Sequence, residues 1–366
     1  MTMDNLLPFT DSISDSARPL VISGPCSAES REQVLTTAEG LAAAGVPIFR
    51  AGIWKPRTKP GCFEGVGAVG LDWLREVREK FGMLTATEVA NRDHVEAAVR
   101  AGVDILWIGA RTTTNPFAVQ EIADSLKSLD ATDIPLLIKN PVNPDLELWI
   151  GAIERMLNAG IRRLAAVHRG FSTYSPGIYR NAPIWHVALD LRRRMPGLPL
   201  ICDPSHIGGR RDLVEPLARR AVDMGFDGLI IESHCQPDCA LSDSRQQITP
   251  AELAALLASL SPRSSRADSQ TVSDEMTRLR SRIDELDSML LDTLSRRMEV
   301  SREIGRYKSA NRIAVVQADR YASIMEERLA DARTKDLDSD FIRRIFSTIH
   351  EESVRQQLTD RDADKP

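Results

Sequence analysis

Short apolar runs recur at regular intervals through the first two thirds of the chain. They are PLVIS (19–23), PIFRA (47–51), MLTAT (83–87), ILWIG (105–109), PLLIK (135–139), LAAVH (164–168), PLICD (199–203) and GLIIE (228–232). Each is short for a helix and the right length for a strand. Between them, apolar positions return at helical spacing, as in NRDHVEAAVRAG from Asn91 and PDLELWIGAIERMLNAG from Pro144. Several of these segments close on a glycine suited to a helix C-terminus. Eight strand–helix units in about 240 residues predict an α/β fold, a (β/α)8 TIM barrel, in preference to an open doubly wound sheet.

The texture changes across a serine-rich seam, SLSPRSSRADSQTVS (259–273). Its small, polar, aperiodic composition is that of a linker. Beyond it Gly305 is the only glycine and proline is absent until the last residue. Nothing interrupts a helix over 273–308, an element of roughly 50 Å at ~1.5 Å per residue. Met276, Leu279, Ile283, Leu286, Leu290 and Leu294 fall on one stripe of it. Arg297 and Lys308 continue inside that stripe, with Arg280 at its edge. On the last helix, Ile342, Phe346 and Ile349 form a stripe that Ser353 and Gln357 extend with hydrogen-bonding side chains. The pattern predicts a barrel over 1–260, a linker over 261–272 and a small all-α domain over 273–366. A three-helix segment whose longest helix cannot bury its own seam should dimerise, so the expected assembly is at least a homodimer through the helical domain.

Composition narrows the function classes. Of 366 residues, 42% are hydrophobic and 27% charged, as in an ordinary globular protein. The net charge is −5 and neither part is basic, so no nucleic-acid partner is expected. Five cysteines form no paired framework, and the acidic N-terminus lacks the basic and apolar regions of a signal peptide. No run approaches the ~18 apolar residues of a membrane span. The expected location is the cytoplasm, with no membrane association.

A barrel enzyme assembles its site from the C-terminal ends of its strands. Those ends carry Arg50, Lys55, Arg57 and Thr58 after the second run, Glu88 after the third and Arg111 after the fourth. Lys139 ends the fifth run, and His168 and Arg169 close the sixth. Cations converging on one barrel mouth suit phosphates and carboxylates, with arginine as a fork and lysine as a point charge. A second set, Cys26, His206, Glu232 and Asp243, joins one thiol, one imidazole and two carboxylates, which suits a borderline divalent cation such as Mn2+. His234-Cys235 with Cys239 resembles a zinc half-site, but lacks a second cysteine pair to complete it.

The barrel motifs carry a family resemblance. SGPCS (23–27), KPRT (55–58), GAR (109–111), IKN (138–140), HRG (168–170), DPSH (203–206), IIES (230–233) and ALSDSRQQ (240–247) resemble 3-deoxy-D-arabino-heptulosonate 7-phosphate (DAHP) synthase of the compact group, in order along the barrel. The resemblance implies condensation of phosphoenolpyruvate with erythrose 4-phosphate, the first step of the shikimate pathway. It implies that Cys26, His206, Glu232 and Asp243 hold the metal, and that Arg111, Lys139 and Arg169 bind phosphoenolpyruvate, with Arg50 and Lys55 near its carboxylate. Arg57 and Thr58 would take the aldose phosphate, and Lys55 is a candidate for proton handling. KPRT favours erythrose 4-phosphate over the five-carbon sugar phosphate of related 3-deoxy-octulosonate 8-phosphate synthases. The stretch just beyond, KPGCFEG (59–65), departs from the usual serine and glutamine.

The helical part resembles the all-helical chorismate mutase through LRSRIDELD (279–287), RR (296–297), IGRYK (304–308), DR (319–320) and EESVRQQ (351–357). Carried over, Arg297, Lys308, Arg320, Ser353 and Gln357 line a chorismate or prephenate pocket, with Arg280 contributed by the partner chain. The rearrangement of chorismate to prephenate needs a dicarboxylate held in its folded conformer and donors on the ether oxygen, which Lys308 and Gln357 would supply. Gln317 and Tyr321 stand where acidic residues that address the substrate hydroxyl are common. Those departures leave a second reading, in which the helical part only binds prephenate or chorismate as a regulatory module.

Overall fold

The computed structural model describes residues 6–10, 19–55, 61, 63–173, 177–260, 270–315 and 318–363. The chain divides into two compact units, Met1–Ser265 and Arg266–Pro366.

In the first unit every apolar run becomes a strand: β1 (Leu20–Gly24), β2 (Ile48–Arg50), β3 (Leu84–Val89), β4 (Ile105–Ile108), β5 (Leu136–Lys139), β6 (Leu164–His168), β7 (Leu200–Cys202) and β8 (Gly228–Glu232). Each pairs in parallel with the next, and β8 returns to β1 to close the barrel, with Gly24 opposite Glu232. Side chains alternate between two cores, as the two-residue strand period requires. Ile22, Ile48, Ile105, Trp107, Leu137, Val167, Ile201 and Ile230 fill the barrel interior. Val21, Phe49, Leu106, Ile138, Ala166 and Leu229 pack outward against the helices.

The helices start where capping side chains occur. Ser30 accepts from the Gln33 amide, Asn91 from His94 and Asp145 from Leu148. Thr249 and Glu252 form a reciprocal capping box. The segment from Asn91 is helical over Arg92–Arg100, and that from Pro144 over Leu146–Asn158. A further plug was not visible in the sequence pattern. Phe9 is buried in the inner core, its short segment tied to the strand-entry end by Leu7 N–H on the Arg162 carbonyl (3.1 Å) and Arg163 on the Pro8 carbonyl (2.8 Å).

The second unit has three helices, Gln270–Ala310, Ala318–Thr334 and Ser339–Ala363. The first begins three residues ahead of the expected 273, in a stretch free of proline and glycine, and runs 41 residues. Met325, Leu329, Ala332 and Ile342 form its small core, with Tyr321 and Phe346 packed against it. Gly305 lets the long and last helices touch, since a Cβ there would lie 2.8 Å from the Gln357 Cα. Along the long helix Met276, Leu279, Ile283, Leu286 and Leu290 are exposed. Among the described residues no helix is long and apolar enough to cross a membrane.

Candidate active sites

The barrel site begins with a close approach that only glycine permits. Gly24, at φ +154°, ends β1 where a Cβ would lie 2.0 Å from the Arg50 carbonyl oxygen. The chain then delivers Cys26 to the mouth, its amide donating to Gln247 Oε1 at 2.9 Å. Cys26, Glu232 and Asp243 present ligand atoms all within 4.8 Å of one another. The Cys26 thiol donates to Asp243 Oδ2 at 3.5 Å. His206 joins them from the turn after β7, its Nε2 3.7 Å from Glu232 Oε1. Its Nδ1 lies 2.8 Å from Asp203 Oδ2, ion-pair close though not aligned as a hydrogen bond. A carboxylate behind a ligating imidazole fixes which ring nitrogen faces the metal.

The donor set fits a divalent cation. Burial, reinforced by Glu232, pushes the Cys26 thiol up to about 12, so the thiol stays protonated unless a cation draws off its proton. Burial also lowers the His206 pKa, against the pull of Asp203, and favours the neutral ring that a metal needs. Burial alone would raise Asp243, but Arg180, 3.2 Å away, together with His206 and Lys55 outweighs it and keeps the carboxylate ionised. Asp243 also sits at φ 47°, a left-handed conformation that a non-glycine residue adopts only when held there.

Glu232 is held from both sides. Arg50 Nη1 lies 3.1 Å from its Oε1, and Gln246 Nε2 donates to its Oε2 at 2.7 Å. Arg50 also donates to the Cys26 carbonyl at 2.9 Å, and both partners of the ion pair are 1% exposed. Removing either charge would strand the other, at a cost of about 3–5 kcal/mol. Arg50 and Lys139 both lie over the Trp107 ring, at 4.8 and 5.9 Å from its centroid, so the indole forms the floor of the cationic site.

The remaining cations surround that floor. Lys139 Nζ is 2.9 Å from Asp203 Oδ2. Arg169 donates to Asn181 Oδ1 at 2.9 Å, while its amide donates to Asn140 Oδ1 at 2.7 Å. Burial lowers the Arg169 pKa to about 10, with Arg180 and Arg111 adding repulsion and Asp203 and Asp243 opposing it. An anion bound among these guanidiniums relieves that repulsion. Arg111 is exposed on the short turn Ala110–Thr113. Glu88 covers Gly109 at its start, where a Cβ would lie 2.0 Å from Oε1. Lys55 acts electrostatically on Cys26, Glu232 and Asp243. Arg57 and Thr58 lie outside the described residues.

Strand-end logic names these candidate ligands and cations, and Asp203 at the seventh end, but not what positions them. Asp203, fully buried, braces both Lys139 and His206, and its place in DPSH was the available signal. Gln246, Gln247 and Arg180 come from loops, and the contacts of Arg180 with Gln246 and of Gln247 with Cys26 span 66 and 221 residues, separations that leave no local pattern. His168 packs on the helix side of the sheet among Phe171, Trp185 and Phe226. Burial drops its pKa to about 3, which makes it a neutral packing residue. Cys235 and Cys239 are free, and His234 Nδ1 accepts from the Gln236 amide at 2.9 Å.

In the helical unit, Arg297 Nη1 hydrogen-bonds Ser353 Oγ, bringing together two of the expected pocket residues. Lys308 Nζ donates to the Val315 carbonyl at 2.7 Å. Gln357 is buried beside Gly305, and its Oε1 has no hydrogen-bond partner. Arg320 is exposed, and Gln317 lies outside the described residues. Arg280 is exposed on the same helix as Arg297, seventeen residues and so ~25 Å away, too far to serve the same small pocket.

Comparison with known proteins agrees with this geometry. Residues 10–267 match the DAHP synthetase I family, and residues 279–358 match chorismate mutase type II. A phospho-2-dehydro-3-deoxyheptonate aldolase of Thermotoga maritima is 38% identical over 228 residues, 62% of this chain and 64% of that protein. A 2-dehydro-3-deoxyphosphooctonate aldolase of Desulfosudis oleivorans is 29% identical over 269 residues, 68% of this chain and 91% of the relative. The crystal structure of the Thermotoga maritima DAHP synthase superposes with a TM-score of 0.60 at 34% identity, covering 66% of this chain and 68% of that one. The chain belongs to the DAHP synthetase I family and carries, after its barrel in the sequence, a chorismate mutase type II domain.

Proposed function

We propose that the barrel condenses phosphoenolpyruvate with erythrose 4-phosphate to DAHP, and that the helical domain rearranges chorismate to prephenate. One observation carries the first reading: Cys26, His206, Glu232 and Asp243 converge beside Lys139 and Arg169 at the C-terminal ends of the strands. Cys26, His206, Glu232 and Asp243 would hold a divalent metal, which when bound polarises the aldehyde of the aldose. Arg111, Lys139 and Arg169 hold the phosphate of phosphoenolpyruvate, and Arg50 and Lys55 face its carboxylate. Fixing two mutually repelling phosphates close together is the main task of these cations. C3 of phosphoenolpyruvate bonds to the aldehyde carbon, water adds at C2, and inorganic phosphate leaves. Lys55 is placed electrostatically among the ligand set to handle a proton there. Arg57 and Thr58 are assigned the aldose phosphate by the KPRT motif. Incubating the protein with phosphoenolpyruvate, Mn2+ and either aldose tests the reading. DAHP formation is expected, and preferential use of arabinose 5-phosphate would replace it with an octulosonate synthase.

The mutase reading is supported by Arg297 meeting Ser353, by Gln357 packed beside Gly305, and by Arg297 and Lys308 both acting on His350 between them. Arg297 and Arg320 suit the two carboxylates, and Lys308 with Gln357 the ether oxygen. Arg280 completes the pocket from a second copy, whose matching stripe covers Met276, Leu279, Ile283, Leu286 and Leu290, so the assembly is a homodimer at least. We assign the barrel to 1–260, the linker to 261–272 and the mutase domain to 273–366, supported by family matches that end at 267 and resume at 279. Prephenate formation by the full chain tests the mutase, and chorismate binding without turnover would make the domain a regulatory module.

A further inference from the structure

The helical pocket contains a histidine that no motif assigns. His350 lies on the face of the last helix that carries Ser353 and Gln357, three and seven residues on. Its ring stacks on Tyr321 of the Ala318–Thr334 helix, with centroids 4.3 Å apart and planes inclined by 37°. The Tyr321 hydroxyl is engaged by Ser347 Oγ at 3.0 Å. The imidazole is half-buried, and among the described residues neither ring nitrogen has a hydrogen-bond partner.

The charged groups facing His350 are Arg297 and Lys308 from the long helix and Glu351 from its own. Tyr321 is the titratable group that meets it from the second helix. Burial first, then Arg297 and Lys308, lower its pKa below 6.5, against Glu351. The ring is therefore neutral near pH 7 and offers one nitrogen as an acceptor.

That acceptor stands out against a donor-rich pocket. Arg297, Lys308 and Arg320 can only donate, and the Ser353 hydroxyl already donates to the Ile349 carbonyl at 2.8 Å. Chorismate presents two carboxylates and an ether oxygen, all acceptors, and a single secondary hydroxyl, the one group that can donate. Gln357 Oε1 is a second acceptor, buried without a partner among the described residues, but an amide that donates to the ether oxygen turns its Oε1 away from it. Tyr321 stands where an acid is common, which leaves His350 for the hydroxyl. We propose that His350, braced by Tyr321, is the specificity-determining group of this pocket and accepts the hydrogen bond of the substrate's secondary hydroxyl. The assignment rests on the mutase reading above.

The test uses the full chain with chorismate and with its deoxy analogue, in which hydrogen replaces the hydroxyl. His350→Leu should lower kcat/KM for chorismate about tenfold, the scale of one lost hydrogen bond, while leaving the deoxy analogue within about twofold. His350→Gln, which keeps an acceptor, should recover most of the rate. The unsubstituted protein should lose kcat/KM on the acid side as the ring protonates, and H350Q should lack that limb. An equal loss on both substrates in H350L would mean a merely structural role and overturn the proposal, as would no loss on chorismate. An unsubstituted chain that fails to rearrange chorismate at any pH would overturn the mutase reading itself, and with it this role.

Discussion

The two units solve the problem of holding charge in opposite ways. In the barrel, Arg50 meets Glu232, Lys139 meets Asp203 and Arg180 meets Asp243, with the first two pairs almost wholly buried. Sheet closure brings these groups together from residues as far apart as 50 and 243, around the set proposed to hold a metal ion. In the helical unit the pocket cations are more open: Arg297 and Lys308 are half-buried and Arg280 and Arg320 exposed. The apolar stripe beside them is bare as well. In the proposed reading, an ion finishes one site and a second copy of the chain finishes the other.

The largest expected effect separates the two on the barrel side. Glu232→Gln should lower DAHP formation on the order of a thousandfold, because the metal's several kcal/mol of charge stabilisation goes with it. Mutase activity should be unchanged, as measured by chorismate disappearance. The mirror experiment, Arg297→Ala, should cost the mutase roughly a hundredfold in kcat/KM and spare the barrel. A mutase loss in the first variant, or a barrel loss in the second, would break the separation.

The dimer claim is sharper still. Replacing Ile283 and Leu290, 56% and 57% exposed, by Glu should give a monomer by sedimentation and remove mutase activity, while DAHP formation persists. A dimer that survives both substitutions would contradict the assigned interface. On the barrel side, Gln246→Ala should weaken metal affinity by about tenfold to a hundredfold by titration calorimetry, since it frees one oxygen of Glu232. Unchanged affinity would make Gln246 a packing residue.

The smallest effect concerns stability. His168 has a pKa near 3 when folded, below its ordinary 6.5. The unfolded chain therefore binds the extra proton as pH falls below about 6.5, and the barrel loses stability from there toward pH 3. At constant ionic strength, the melting temperature of His168→Gln relative to the unsubstituted protein should rise steadily over that window. A constant difference would show that His168 does not titrate between the two states.

The same contrast governs what could be read from the sequence. All eight strands were legible because parallel strands buried on both faces are continuous apolar runs. The candidate metal ligands and phosphate cations could be named because a barrel confines chemistry to strand ends, and the motifs order them. Phe9 was not, since a single aromatic in an acidic lead has no period. Nor were the bracing roles of Gln247 and Asp203, since Gln247 on Cys26 and Asp203 on Lys139 are contacts that exist only once the barrel has closed. In the helical unit the stripe was legible by its period, while His350 was hidden because its contact is with Tyr321 on another helix.

The most direct test assays the full chain for both reactions before and after exhaustive chelation. DAHP formation should vanish on chelation and return with added Mn2+, while conversion of chorismate to prephenate continues at its original rate. DAHP formation that survives complete removal of divalent metal, or a mutase that fails with it, would contradict the division into one ion-completed site and one helix-built site.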